Sequence, residues 1–111
     1  MTYTLPFLEI NKHAFDLIRD NKKKIETRAG NTEYLKIIAG DVIEFSCGNK
    51  VFTKQVKKVS HFQSLDDMLN IYKFDEINPE YSSNEEAKSK YLSFPGYELR
   101  LKEFGILVFE L

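Results

Sequence analysis

Residues 21–31 read NKKKIETRAGN: a lysine run that passes through Ile25 and Thr27 into a Gly30-Asn31 turn signal, with Glu26 in its middle. Three successive lysines ordinarily mark a solvated face or a phosphate contact. A carboxylate two residues from Lys24 and two from Arg28 is instead the spacing of a strand. Side chains alternate along a strand, so Lys24, Glu26 and Arg28 share one face, and Ile25 with Thr27 takes the other. If Ile25 is buried, the charged trio turns outward or into a wet cleft. Glu26 is then flanked by cations that keep it ionised. A solvated edge strand guarded by charge has the same composition, so the chemistry of the trio alone does not choose between them.

The neighbouring segments place this strand. Upstream, NKHAFDLIRDN predicts a short helix with Asn11 as N-cap and Ala14, Phe15, Leu17 and Ile18 as its apolar stripe. Before it, YTLPFLEI reads as an edge or bulged strand because Pro6 cannot donate to a ladder. Downstream, NTEYLKI predicts one or two helical turns capped by Asn31 or Thr32. VIEF, a Cys-Gly-Asn-Lys connection and a longer return strand then form a hairpin. Val56 and Val59, three apart, cannot share a face, so a bulge or bend is expected near Lys57-Lys58. Ser64 with Asp67, and Ser83 with Glu86, mark two further helix starts. The polar segment 71–82 between them reads as a mobile loop. FGILVFEL is nearly continuous in apolar residues, as a central buried strand is.

This gives about five strands with three or four short helices, an α+β fold with a small curled, barrel-like sheet. Long crossover helices are absent, which weighs against a doubly wound nucleotide fold. At 111 residues, 42% of them hydrophobic, the chain reads as one folded domain spanning 1–111. No apolar run approaches the roughly 18–20 residues of a membrane helix, and the first residues do not read as a secretion signal. The single cysteine, Cys47, fits a reducing cytoplasm. Charge is unevenly distributed: residues 1–60 hold 11 Lys and Arg against 7 Asp and Glu, and residues 61–111 hold 5 against 10. A basic binding face opposite an acidic one would show such asymmetry.

Other candidate chemistry is sparse. Cys47 lies in a turn-like stretch without a His or acidic neighbour, and His13 and His61 lack metal-ligand spacing, so no metal site is expected. No glycine-rich phosphate loop or serine-nucleophile motif is present. Lys50, Lys54, Lys57 and Lys58 extend a basic face, and Tyr91, Phe94 and Tyr97 offer either core packing or base-stacking surfaces.

Four segments together, LPFLEINKHAFDLIRDNKKKIETR, IIAGDVIEFS, VKKVSHFQSLDDML and YELRLKEFGILVFEL, resemble the ASCH domain family of the PUA-like superfamily. Its Gly-x-Lys-x-x-Glu-x-Arg signature falls on Asn21, Lys23, Glu26 and Arg28. The following strand motif falls on Gly40, Asp41, Ile43 and Phe45, and the last strand begins at Gly105. Asn21 replaces the signature glycine and tolerates the same left-handed backbone.

The resemblance implies a small β-barrel whose cleft is lined by Lys23, Glu26 and Arg28, with Lys24 alongside. It also implies RNA or a modified nucleotide or nucleoside as partner, in RNA processing or translation regulation. A hydrolase of the same fold is the alternative. One form is a ribonuclease in which Glu26 acts as base or faces a divalent cation, while Lys23 and Arg28 stabilise developing charge. The other is an amidohydrolase of N4-acetylcytidine, where similar proteins carry a threonine nucleophile. Glu26 stands at that threonine's position, and a carboxylate does not replace a hydroxyl nucleophile in that step. A protein-docking role for the acidic second half is a third reading. Outside the ribonuclease reading no cofactor is expected.

Overall fold

A computed structural model describes residues 1–111. The chain is α+β, with strands β1 (Thr2–Phe7), β2 (Ile25–Ala29), β3 (Val42–Cys47), β4 (Lys50–Gln55), β5 (Lys58–Phe62) and β6 (Ile106–Glu110). Its helices are α1 (Lys12–Arg19), α2 (Leu65–Ile71), α3 (Phe74–Ile77), α4 (Asn84–Leu92) and α5 (Tyr97–Phe104). The strands bond into two three-stranded sheets, ordered β1-β3-β4 and β2-β6-β5. No helix is long and apolar enough to cross a membrane.

Six strands replace the expected five because the return strand of the hairpin breaks where its apolar pattern slips. β4 pairs with β3 as far as Gln55, opposite Val42. Val56 is then driven into the interior at 1% exposure, and the Lys57 N–H already donates to Glu110 O, 2.7 Å away, in the other sheet. One strand thus leaves the first sheet and joins the second. Pro6 lies on β1, at the edge of its sheet, where the missing N–H costs no ladder bond.

Helices number five rather than three or four. α3 lies within the segment read as a mobile loop, where Ile77 is buried to 1% exposure and anchors it. α5 was not expected from the sequence; it turns Tyr97, Leu101 and Phe104, spaced four and three apart, inward with Leu101 alone buried, while Leu99 on its other side is 73% exposed. The caps at Ser64 and Ser83 form as expected, each hydroxyl accepting the N–H three residues on. Asn31 caps the 3-10 turn Tyr34–Lys36 by accepting the Tyr34 N–H at 2.7 Å.

The interior consists of two apolar clusters. One gathers residues of α2, α3, α4 and α5, and the other gathers residues of β1, β3 and α1. β6 separates them as the middle strand of its sheet. Ile106 and Val108 point into the first cluster, Leu107 and Phe109 into the second. A strand buried on both faces reads as a continuous apolar run, as this one does.

Candidate functional site

Residues 21–31 build the site by leaving one helix through a left-handed turn. α1 ends at Arg19, Asn21 takes φ 61°, and the N–H groups of Lys22 and Lys23 both donate to Leu17 O. This helix end leaves Lys23 pointing inward, only 5% exposed. Its Nζ donates to Ile25 O and, at 3.1 Å, to Glu26 Oε1. Glu26 is equally buried. Its Oε1 also accepts the Thr27 N–H at 3.0 Å, and its Oε2 accepts Arg28 Nε at 3.1 Å. Arg28 in turn donates from Nη2 to Pro6 O at 3.1 Å, and its guanidinium carbon sits 4.7 Å from the Phe7 ring centroid.

Strand alternation holds within β2 itself. Glu26 and Arg28 lie opposite Phe109 and Leu107 on the face of the second cluster, and Ile25 with Thr27 takes the other face. It fails for Lys24. That residue precedes the strand, is exposed, and meets the sheet only through its carbonyl, which accepts the Leu111 N–H at 2.9 Å. The cation on the near side of Glu26 is therefore Lys23, not Lys24. β2 does lie at a sheet edge, but its charges are covered rather than solvated.

Burial alone would push the Glu26 carboxyl up. Attraction to Lys23 and Arg28, with hydrogen bonds from Lys23 and the Thr27 N–H, outweighs that and holds it below the ordinary glutamate value. Arg28 behaves as the counterpart: burial pulls its guanidinium down, and Glu26 more than offsets this, so it is raised overall. Of the Arg28 nitrogens, Nε and Nη2 are engaged inside the protein, which leaves Nη1 for a ligand.

The trio opens into a cleft of about 840 Å³. Facing it is an aromatic wall from α4, α5 and the turn between them. Tyr91 and Tyr97 stack at 6.4 Å, and Phe94 meets Tyr97 edge-on at 5.0 Å. These rings are both things the sequence allowed: they pack against the first cluster and they line the cleft. Thr27, which sequence reasoning overlooked, is buried in the cleft wall with its hydroxyl bonded to Tyr91. It lies on the strand face assigned to core, and nothing in the local pattern marks it as part of a cleft. Burial raises the phenols of Tyr91 and Tyr97, and that of Tyr81 to about 12, so all three are neutral hydrogen-bonding groups at neutral pH. Across the mouth, His13 on α1 meets Glu80, with Nε2 and Oε2 2.7 Å apart.

The remaining candidates lie elsewhere. Cys47 is buried at the end of β3, and His61 bonds the Phe104 carbonyl at 2.6 Å. Lys50, Lys54, Lys57 and Lys58 are not among the residues lining the cleft. No three His, Cys, Asp or Glu side chains come together where they could hold a metal ion.

No family model matches this chain, and no curated protein does. Solved structures similar to it include the following two. The crystal structure of hypothetical protein PH0355 superposes with a TM-score of 0.81 at 29% identity, covering 99% of this chain and 96% of that one. The solution structure of protein PF0455 from Pyrococcus furiosus gives 0.70 at 28% identity, covering 99% and 94%. The whole architecture therefore recurs from end to end in both.

Proposed function

We propose that the chain is an RNA- or nucleotide-binding domain of the PUA-like ASCH kind, acting in a reducing cytoplasm in RNA processing or translation regulation. The observation that carries this reading is the pairing of surfaces in one cleft: Lys23, Glu26 and Arg28 on one side, and Tyr91, Phe94 and Tyr97 on the other. An unpaired base stacks on such rings, and Arg28 Nη1 and the neutral phenols supply donors to its polar edge. The two sheets, joined where β4 passes into β5, are on this reading the halves of a PUA-like barrel.

Binding is favoured over hydrolysis on two grounds. Glu26 already accepts three hydrogen bonds and is held below its ordinary value, which makes it a weak base. Both Glu26 oxygens are also taken up by Lys23, the Thr27 N–H and Arg28, so two cations already stand where a divalent ion would have to approach the carboxylate. Labelled RNA incubated with excess protein and Mg²⁺ or Mn²⁺ should accordingly be recovered intact.

The test is calorimetric titration with a panel of nucleosides and short single-stranded RNAs. Phe94→Ala, which removes a partly exposed ring, should weaken binding by about 1–3 kcal/mol, the usual worth of one stacked base. Arg28→Lys, which keeps the charge beside Glu26 and removes the fork, should weaken it as well. Failure of every panel member to bind at millimolar concentration would sink the proposal, provided circular dichroism shows a native fold.

A further inference from the structure

Charge in the cleft is balanced. Lys23, Arg28 and Lys90 line it together with Glu26, Glu80 and Glu86. Such a lining suits an uncharged base and gives little pull on a polyanion.

Five of the cations that form no ion pair lie around one end of the sheets. Lys24 is tied to Leu111 by its carbonyl, and the Lys57 N–H donates to Glu110 O. Lys58 stands opposite Glu110 in register. The Lys54 ammonium bonds the side chain of Asn21, the neighbour of Lys22. Lys22, Lys24, Lys57 and Lys58 are exposed, and none of the five lysines forms an ion pair. Of the nearby carboxylates, Asp20 is paired with Arg19 at 3.1 Å; Glu110 keeps its charge while accepting the Tyr72 hydroxyl at 2.5 Å, so five lysines face one unpaired side-chain carboxylate. Of the three consecutive lysines, the middle one therefore enters the cleft, and its two neighbours lie at the same end of the sheets as Lys54, Lys57 and Lys58.

We propose that this lysine surface holds the sugar–phosphate backbone of a single-stranded RNA whose unpaired base occupies the cleft. The proposal rests on the nucleic-acid reading of the cleft and adds the path of the strand. α1 joins the two places: His13 at its start stands on the cleft mouth, and Asn21 just past its end touches Lys54. Eight helical residues span about 12 Å, so a lone nucleoside cannot reach both, whereas a strand of several nucleotides can. The occupant is a polyanion by charge complementarity, and it is single-stranded because a base in the cleft must leave its stack.

The experiment compares a nucleoside with a ten-nucleotide RNA over a salt series, using the wild-type chain and a Lys22→Gln/Lys57→Gln/Lys58→Gln triple variant. For the wild type, RNA should bind more tightly than the nucleoside and weaken steeply with salt. In the triple variant, the slope of log K against log salt should fall by about 2, since each phosphate contact to a single strand contributes about 0.7. Nucleoside affinity should not change. An unchanged RNA slope, or RNA no tighter than nucleoside, overturns the lysine path while leaving the cleft reading intact. A lysine-dependent slope with no effect of Phe94→Ala places the failure in the cleft and overturns the connected path. Equal competition by inorganic polyphosphate, or equal binding to vesicles rich in anionic lipid, shows a generic polyanion surface and overturns the RNA assignment.

Discussion

Glu26 takes its proton later than any free glutamate would, because Lys23, Arg28 and the Thr27 N–H all favour the charged form. The unfolded chain, lacking these partners, binds that proton first as pH falls. The contribution of Glu26 to stability is thus complete above the ordinary value of 4.5 and is lost as pH drops through its lower folded value. Urea midpoints should fall between about pH 6 and about pH 3, and the fall should be smaller in Glu26→Gln. Asp41, held low by the Ile38 N–H, and Asp20, held low by Arg19, remain in both proteins and belong to the common part. An equal fall in wild type and variant would exclude Glu26 as a contributor. Lys23→Ala should destabilise at neutral pH by about 3–5 kcal/mol, the usual cost of breaking a buried ion pair from one side.

Elements that meet by close backbone approach are the sensitive ones, and Gly105 between α5 and β6 is the clearest. Its φ is 72°, and a Cβ there would lie 2.3 Å from the Phe62 carbonyl oxygen. Gly105→Ala should therefore cost more than the roughly 1–2 kcal/mol of left-handed backbone alone. A thermal midpoint close to that of the wild type would contradict this packing. Most elements were legible because their signals are local: the Pro6 edge strand, the hairpin, the serine caps and the apolar run of β6. The break between β4 and β5 was legible too, as a slip in spacing at Val56. α5 was not, since its stripe of Tyr97, Leu101 and Phe104 is short, blurred by the exposed Leu99, and only one of the three is buried. α3 was not, since four residues carry no period. In the site, Glu26 and Arg28 followed from strand alternation, and Lys23 followed from its place in a motif. Thr27 depends on α4 arriving from 64 residues away, a tertiary fact with no local trace.

At the scale of the molecule, the two sheets and two clusters read as separate layers, but they have β6 in common. Phe109 is fully buried in the second cluster and neighbours Val108, fully buried in the first. Phe109→Ala should cost about 3–5 kcal/mol. Amide exchange should then quicken around Ile77 and Tyr91 as much as around Phe45, although only Phe45 belongs to the cluster that lost the ring. Acceleration confined to β1, β3 and α1 would show that the clusters open separately. A strand that alternates between two interiors couples their fates. Melting either requires freeing β6, and freeing β6 exposes the other, so the slowest amides of both halves should exchange only through global unfolding. The cleft at β2, paired to that same strand, is then supported by the cooperativity of the entire chain.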